Sequence, residues 1–204
     1  MTYSNETGYP SPSDILNPWI DKRWFKPEHS ARGAAVHASI SVKMKGVVPI
    51  WKPEFYGYRD SFNQISGFFE KPIGTEKRLT DKTLCYSGQI DTVAPLTSAG
   101  CIALGLTYPC TALVDWKTSA NSAQDWDLRL AAYFNLCIVN GIECDIHLIA
   151  RIRKDGSAPK IKVSHKEEIR FYFTYFKAAL HSWYYFKTNV RYVEKKVLDI
   201  QEKA

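Results

Sequence analysis

Two segments between Tyr86 and Ser119 decide how this chain reads: Ser87-Gly88-Gln89-Ile90-Asp91 and Leu113-Val114-Asp115-Trp116-Lys117-Thr118. Each has the pattern of a β-strand end. Ile90, Val93 and Leu96 flank the first aspartate, while Thr111 to Val114 form an apolar run into the second, bounded upstream by Pro109 and a loop holding Gly100 and Gly105. A strand alternates its side chains, so Asp115 and Lys117 share one face and Trp116 takes the other. Adjacent strands would thus deliver two carboxylates and a lysine to one polar spot in an apolar pair.

Two readings fit such a spot. One is an Asp–Lys pair on a solvated sheet edge. The other is a divalent-metal site in which Asp91 and Asp115 give hard oxygen ligands to Mg²⁺ or Mn²⁺, ions that ask for one or two carboxylates plus substrate phosphate. Lys117 would then orient the attacking water, help lower its pKa and neutralise charge developing on phosphorus.

The residues around this spot resemble the PD-(D/E)xK nuclease superfamily, in particular its RecB-like and lambda-exonuclease-like branches. A G-x-x-D strand, Gly88 to Asp91, is followed by a D-x-K strand, Asp115 to Lys117. Upstream, Arg32-Gly33-Ala34-Ala35-Val36-His37 resembles the helix that brings a histidine to the metal, and Glu76 stands where a family glutamate precedes the G-x-x-D strand. Downstream, Arg129-Leu130-Ala131-Ala132-Tyr133 resembles the Q-L-A-A-Y helix, with arginine in place of glutamine. The likeness covers Gly33 to Tyr133. It implies an α/β fold with a restriction-endonuclease-like αβββαβ core, a central mixed β-sheet flanked by helices.

The resemblance also implies a Mg²⁺- or Mn²⁺-dependent deoxyribonuclease. Asp91 and Asp115 would hold the metal with help from His37 and the backbone carbonyl of Trp116. Lys117 would position the attacking water, Glu76 would be an accessory, and Arg32, Arg129 and Tyr133 would contact DNA. The closest-looking branches imply an exonuclease acting on DNA ends, single-stranded or duplex, in recombination, repair or replication, beside a single-strand annealing protein or a helicase. The alternatives are a structure-selective endonuclease and a catalytically idle DNA-binding or assembly subunit.

Composition sets outer bounds. A chain of 204 residues, 45% of them hydrophobic, is long enough for one domain with a real core. A net charge of +6 favours polyanionic partners. Five cysteines without a C-x-x-C pair argue against a disulfide framework and a structural zinc site. Some RecB-like nucleases carry an iron–sulfur cluster near the C-terminus; no cysteine follows Cys144, so no cluster is expected here. Neither a signal-peptide pattern nor an apolar run long enough to span a membrane is legible, which predicts a cytoplasmic protein with no membrane partner.

Residues 1–29 read as an N-terminal arm, with Ser11-Pro12-Ser13-Asp14 able to cap a short helix; Trp19, Ile20, Trp24 and Phe25 among basic residues would anchor it or stack on a single strand. Residues 30–188 read as the nuclease domain and 189–204 as a charged tail or helix. Val36, Ile40 and Met44 predict a helix from Ser30 to Met44, on which His37 is either a core histidine or a ligand and Gly33 permits close approach of a strand or substrate. A second helix is predicted over Tyr56 to Phe69, then strands from Glu76 and over Thr83 to Val93, joined at Asp81-Lys82. Glu76 would bind a second metal or pair with Lys77 or Arg78.

Beyond Lys117, Ser122 with Asp125 predicts a capped helix ending at Asn140-Gly141, with Arg129 and Tyr133 on one face. A hairpin follows, Cys144 to Ile152 and Lys160 to Val163, turning at Asp155-Gly156. Its cations Arg151, Arg153, Lys154, Lys160 and Lys162 are either a solvated face or a backbone track. Ser164 to Glu167 reads as a capping box opening a helix to about Lys187, whose aromatic density suits core or a subunit contact in a homo-oligomer.

Overall fold

A computed structural model describes residues 8–20, 26–123 and 125–201, with side chains as far as 187. Trp24, Phe25 and the side chains of the predicted tail lie outside the described residues.

Five strands form one sheet in chain order: β1 (Gly74–Asp81), β2 (Tyr86–Pro95), β3 (Thr111–Lys117), β4 (Ile146–Arg151) and β5 (Lys160–His165). Only β3 and β4 run parallel; the other neighbours are antiparallel. The parallel pair needs a crossover, which α5 (Asp125–Val139) supplies. With α6 (Lys166–Gln201) and the short α1 (Pro12–Leu16), α5 covers one face, where Leu113, Leu130, Phe176 and Trp183 pack together. On the other face α2 (Pro27–Met44) and α3 (Tyr56–Ser66) bury Val36, Ile40, Phe62 and Ile65 against Val114, Trp116 and Leu148. The chain is therefore α/β, a five-stranded mixed sheet between helical layers.

The predicted elements are present, with shifted ends. Ser11 does cap α1: its hydroxyl accepts from the Asp14 N–H at 3.1 Å, and the Asp14 carboxylate accepts from the Ser11 N–H at 2.9 Å. That helix sends Ile15 and Leu16 into the core. The turn after β1 is longer than Asp81-Lys82, because Asp81 Oδ1 accepts from the N–H groups of Thr83 and Leu84, at 2.9 Å each, and folds that stretch before β2 begins.

Three expectations need correction. Helix α5 starts at Asp125, so Ser122 lies ahead of it in the loop. Ser164 is buried in β5 rather than capping α6; the reaching-back carboxylate is that of Glu168, which accepts from the His165 N–H at 3.1 Å. Helix α6 does not stop near Lys187 but runs on to Gln201. A helix that the sequence did not suggest, α4 (Ser98–Leu104), occupies the predicted loop, capped by Thr97 Oγ1, which accepts from the Gly100 N–H at 3.0 Å. Two turns are too short for an apolar period to show.

Candidate metal and nucleic-acid site

The alternation predicted for β3 holds. Leu113 packs toward α5 and α6, Val114 and Trp116 toward α2 and α3, and Asp115 and Lys117 return to the α5 side. Trp116 is 1% exposed, its indole donating to Thr92 Oγ1 at 3.0 Å and its ring meeting Phe62 and Phe69 edge-on. That anchorage fixes the strand end carrying the charged residues.

The ladder pairs Thr92 with Val114, so the next rung sets Asp91 opposite Asp115. On its other side β2 pairs Ile90 with Lys77 and Thr92 with Thr75, which sets Glu76 opposite Asp91. Glu76 there takes a φ of +51°, a left-handed conformation that costs a non-glycine residue about 1 kcal/mol or more and clusters at functional sites. Ile90 and Val93, three residues apart, both pack in the α5-side core, so strict alternation does not hold across Asp91 either. Both strands bend their backbone at the same rung.

Three ligating atoms, one each from His37, Glu76 and Asp91, lie within 4.8 Å of one another. His37 Nδ1 sits 3.4 Å from Asp91 Oδ2, and the same oxygen accepts from the Trp116 N–H at 2.9 Å. Gln89 donates to Glu76 Oε2, leaving Glu76 Oε1 buried with no hydrogen-bond partner among the described residues. Lys117 Nζ is 2.5 Å from Asp115 Oδ2, a close ion pair between two largely buried side chains.

The electrostatics of these groups are split. Burial alone would raise Asp91, but His37, Lys117 and the Trp116 N–H outweigh it and hold the carboxyl below its ordinary value. Burial raises Asp115, assisted by the Asp91 charge and opposed by Lys117. Burial also raises Glu76. Burial would lower His37, yet the charge and hydrogen bond of Asp91 carry it upward. Two acids facing each other with unequal proton affinities, beside an imidazole and an ammonium, suit a cation better than they suit packing.

Above the carboxylates lies a groove of about 570 Å³ between α2, the end of β3 and the start of α5, lined by Arg32, Gly33, His37, Lys117, Trp126 and Arg129 among others. Lys117 Nζ lies 5.4 Å from the centre of the Trp126 ring. Arg129 forms an ion pair with Asp125 one turn earlier; its Nε and that of Arg32 are buried without hydrogen-bond partners among the described residues. Tyr133 is placed differently. Its ring seats on Gly88, where an added Cβ would stand 2.6 Å from a ring carbon, and it packs with the core rather than lining the groove. Burial, countered by Arg129, raises its hydroxyl.

The two motif glycines thus differ. Gly88 is required by contact, whereas a Cβ on Gly33 would meet only Thr118 Oγ1, at an ordinary 3.6 Å. Residues that sequence reasoning missed include Gln89, Thr92 and Asp125, each of which holds a site residue in place. Gln89 and Thr92 are near neighbours of Asp91 in sequence, and Asp125 stands one helical turn before Arg129.

No protein-family model matches the chain, and no curated protein matches it. Among solved structures the chain is similar to a crystal structure named "Putative exonuclease" from Eubacterium rectale, at 12% identity and a TM-score of 0.49, covering 88% of this chain and 75% of that one. Neither family nor activity follows from a likeness of that size. Among the described residues no helix is long and apolar enough to cross a membrane.

Proposed function

We propose that this chain is a divalent-metal-dependent nuclease with a PD-(D/E)xK core, hydrolysing phosphodiester bonds of DNA, in preference from its ends. The observation that carries this reading is the rung itself. Glu76, Asp91 and Asp115 stand on three adjacent strands, where His37, Glu76 and Asp91 bring ligating atoms within 4.8 Å of one another and Lys117 pairs with Asp115.

The donors fit a hard divalent cation. Glu76 Oε1 is a buried carboxylate oxygen with no hydrogen-bond partner among the described residues, and the His37, Glu76 and Asp91 atoms are close enough to share one ion. Asp91, Asp115, Glu76 and His37 would hold Mg²⁺ or Mn²⁺, and the Trp116 carbonyl, leaving an extended strand on the side of its N–H, would assist. The ion would supply Lewis acidity at a phosphoryl oxygen.

The chain's own groups account for the rest. Lys117, anchored by Asp115 and Trp126, offers ammonium protons that orient the attacking water and offset charge growing on phosphorus. Arg32 and Arg129 flank the groove with guanidinium groups for substrate phosphates.

The test is cleavage of end-labelled linear DNA, single- and double-stranded, against a covalently closed circle, in Mg²⁺, Mn²⁺ or EDTA, with Lys117→Ala as control. Metal-dependent loss of linear DNA alone, absent in Lys117→Ala, is the expected result. Nicking of the circle would transfer the reading to an endonuclease, and no cleavage by the unsubstituted chain in any metal would sink it.

A further inference from the structure

The sheet register places a row of cations beside the carboxylates. Lys117 at the end of β3 pairs with Arg151 of β4, which pairs with Lys160 of β5. Partners on one rung share a face, so the three side chains leave the sheet on the side of Asp115, their backbones spanning about 10 Å at the usual interstrand spacing. Two rungs back, on the same face, Asp115 pairs with Ile149 and Ile149 with Lys162. Arg151 and Lys160 make no ion pair among the described residues, whereas Lys162 contacts Asp127 of α5 at 2.7 Å.

Aromatic rings lie beside Lys162, two residues along β5 from Lys160. Lys162 Nζ lies 5.5 Å from the centre of the Tyr172 ring on α6. Phe171 is 5.8 Å from Tyr172 and 5.0 Å from Tyr175, edge to face in both pairs. Phe171 is 57% and Tyr175 53% exposed, so these rings do not serve the core. Cations in line and open π-faces near them are complementary to one ligand class in particular: a single nucleic-acid strand, whose phosphates take the ammonium and guanidinium groups and whose unpaired bases stack. A duplex buries its bases and would have no use for Phe171 and Tyr175.

Resting on the nuclease reading, we infer that this strip is a single-strand track: a strand engaged at the carboxylates continues over Lys117, Arg151 and Lys160 to the rings of Phe171 and Tyr175. Beyond Lys117 it is a binding surface outside the catalytic groove. It gives the protein hold on a tail several nucleotides long without regard to base sequence.

The test is anisotropy of a labelled oligodeoxythymidylate with the full chain in EDTA, where no cleavage occurs, over a series of salt concentrations. Arg151→Ala with Lys160→Ala should flatten the dependence of log affinity on log salt by about 1.4, two lost phosphate contacts at ~0.7 each. Phe171→Ala with Tyr175→Ala should weaken binding tenfold or more and leave the salt slope as it was. All four side chains lie on the surface or near it, and matching circular dichroism melts establish that the variants fold. Wild-type affinity and slope in both double variants overturn the track while cleavage by the parent keeps the nuclease reading. Strip-dependent binding by a parent that does not cleave keeps the track and removes the nuclease. A change in sedimentation rather than in DNA affinity for the Phe171/Tyr175 variant would make those rings a contact between copies, against the inference.

Discussion

The two sides of β3 are built on opposite terms. On one, Trp116 is almost wholly enclosed, satisfied at its indole N–H and wedged between two aromatic rings. On the other, Asp115 is also buried, at 7% exposure, yet it is a carboxylate with the acid Asp91 close by and Lys117 as its ion-pair partner. One residue step separates a side chain that stabilises the strand from one that the strand has to tolerate. Buried acids opposite each other cost stability unless something cationic compensates, and Lys117 and His37 do so only in part. The polar side is thus arranged for a ligand, and the apolar side holds it still.

The largest test of that contrast is a pair of substitutions. Asp115→Asn should lower cleavage by at least about 100-fold, the scale of losing one preorganised charge-stabilising group. Its thermal melt should stay within a few degrees of the parent, because a repulsion is relieved as the Lys117 pair is lost. Trp116→Ala should do the reverse first, costing about 3–5 kcal/mol of stability in chemical denaturation. If Asp115→Asn proves as destabilising as Trp116→Ala, the charged side is structural and the comparison fails.

A smaller effect separates the glycines. Gly88→Ala drives a methyl into the Tyr133 ring and should cost about 1–3 kcal/mol, the usual toll of overpacking. Gly33→Ala, inside α2 where a Cβ would meet Thr118 Oγ1 at an ordinary contact distance, should add up to about 1 kcal/mol of stability. Should Gly33→Ala melt higher but cleave more slowly, the glycine is kept for substrate; unchanged cleavage would make it incidental.

The smallest effect is a pH limb. His147 is 2% exposed on the α5 side of β4 and its Nε2 lacks a hydrogen bond, so burial, with Lys117 and Lys162 adding to it, holds the imidazole well below its ordinary 6.5. The unfolded chain therefore takes up this proton first as pH falls. The stability tied to neutral His147 is complete above 6.5 and declines below it toward the depressed folded value. Denaturation curves at pH 7 and pH 5 should diverge less in His147→Leu than in the parent; equal divergence would assign the acid limb to other groups.

Much of this was legible in the sequence because it follows from period. Strand alternation placed Asp115 and Lys117 together and Trp116 opposite, and the apolar stripes gave α2, α5 and the order of the strands. What period cannot carry was missed. The left-handed turn of Glu76 depends on two strands bending at one rung, which a glutamate in a strand does not announce. The seat of Tyr133 on Gly88 joins residues far apart in the chain, so a position read as facing DNA instead packs on β2. The cap of α6 moved because β5 uses Ser164 for its own ladder with His147 before the helix can begin. Tertiary pairing overrode local preference in each case.

The bend at Glu76 has one more effect, on how molecules of this chain meet each other. Strand β1 is an outer strand of the sheet, and outer strands carry backbone groups that a neighbouring chain can extend unless something interrupts them. A residue at φ +51° midway along it breaks the flat run that such docking needs, and the exposed Lys77 and Arg78 follow at once. The same backbone irregularity that aims a carboxylate inward therefore leaves the border of the sheet a poor template for aggregation.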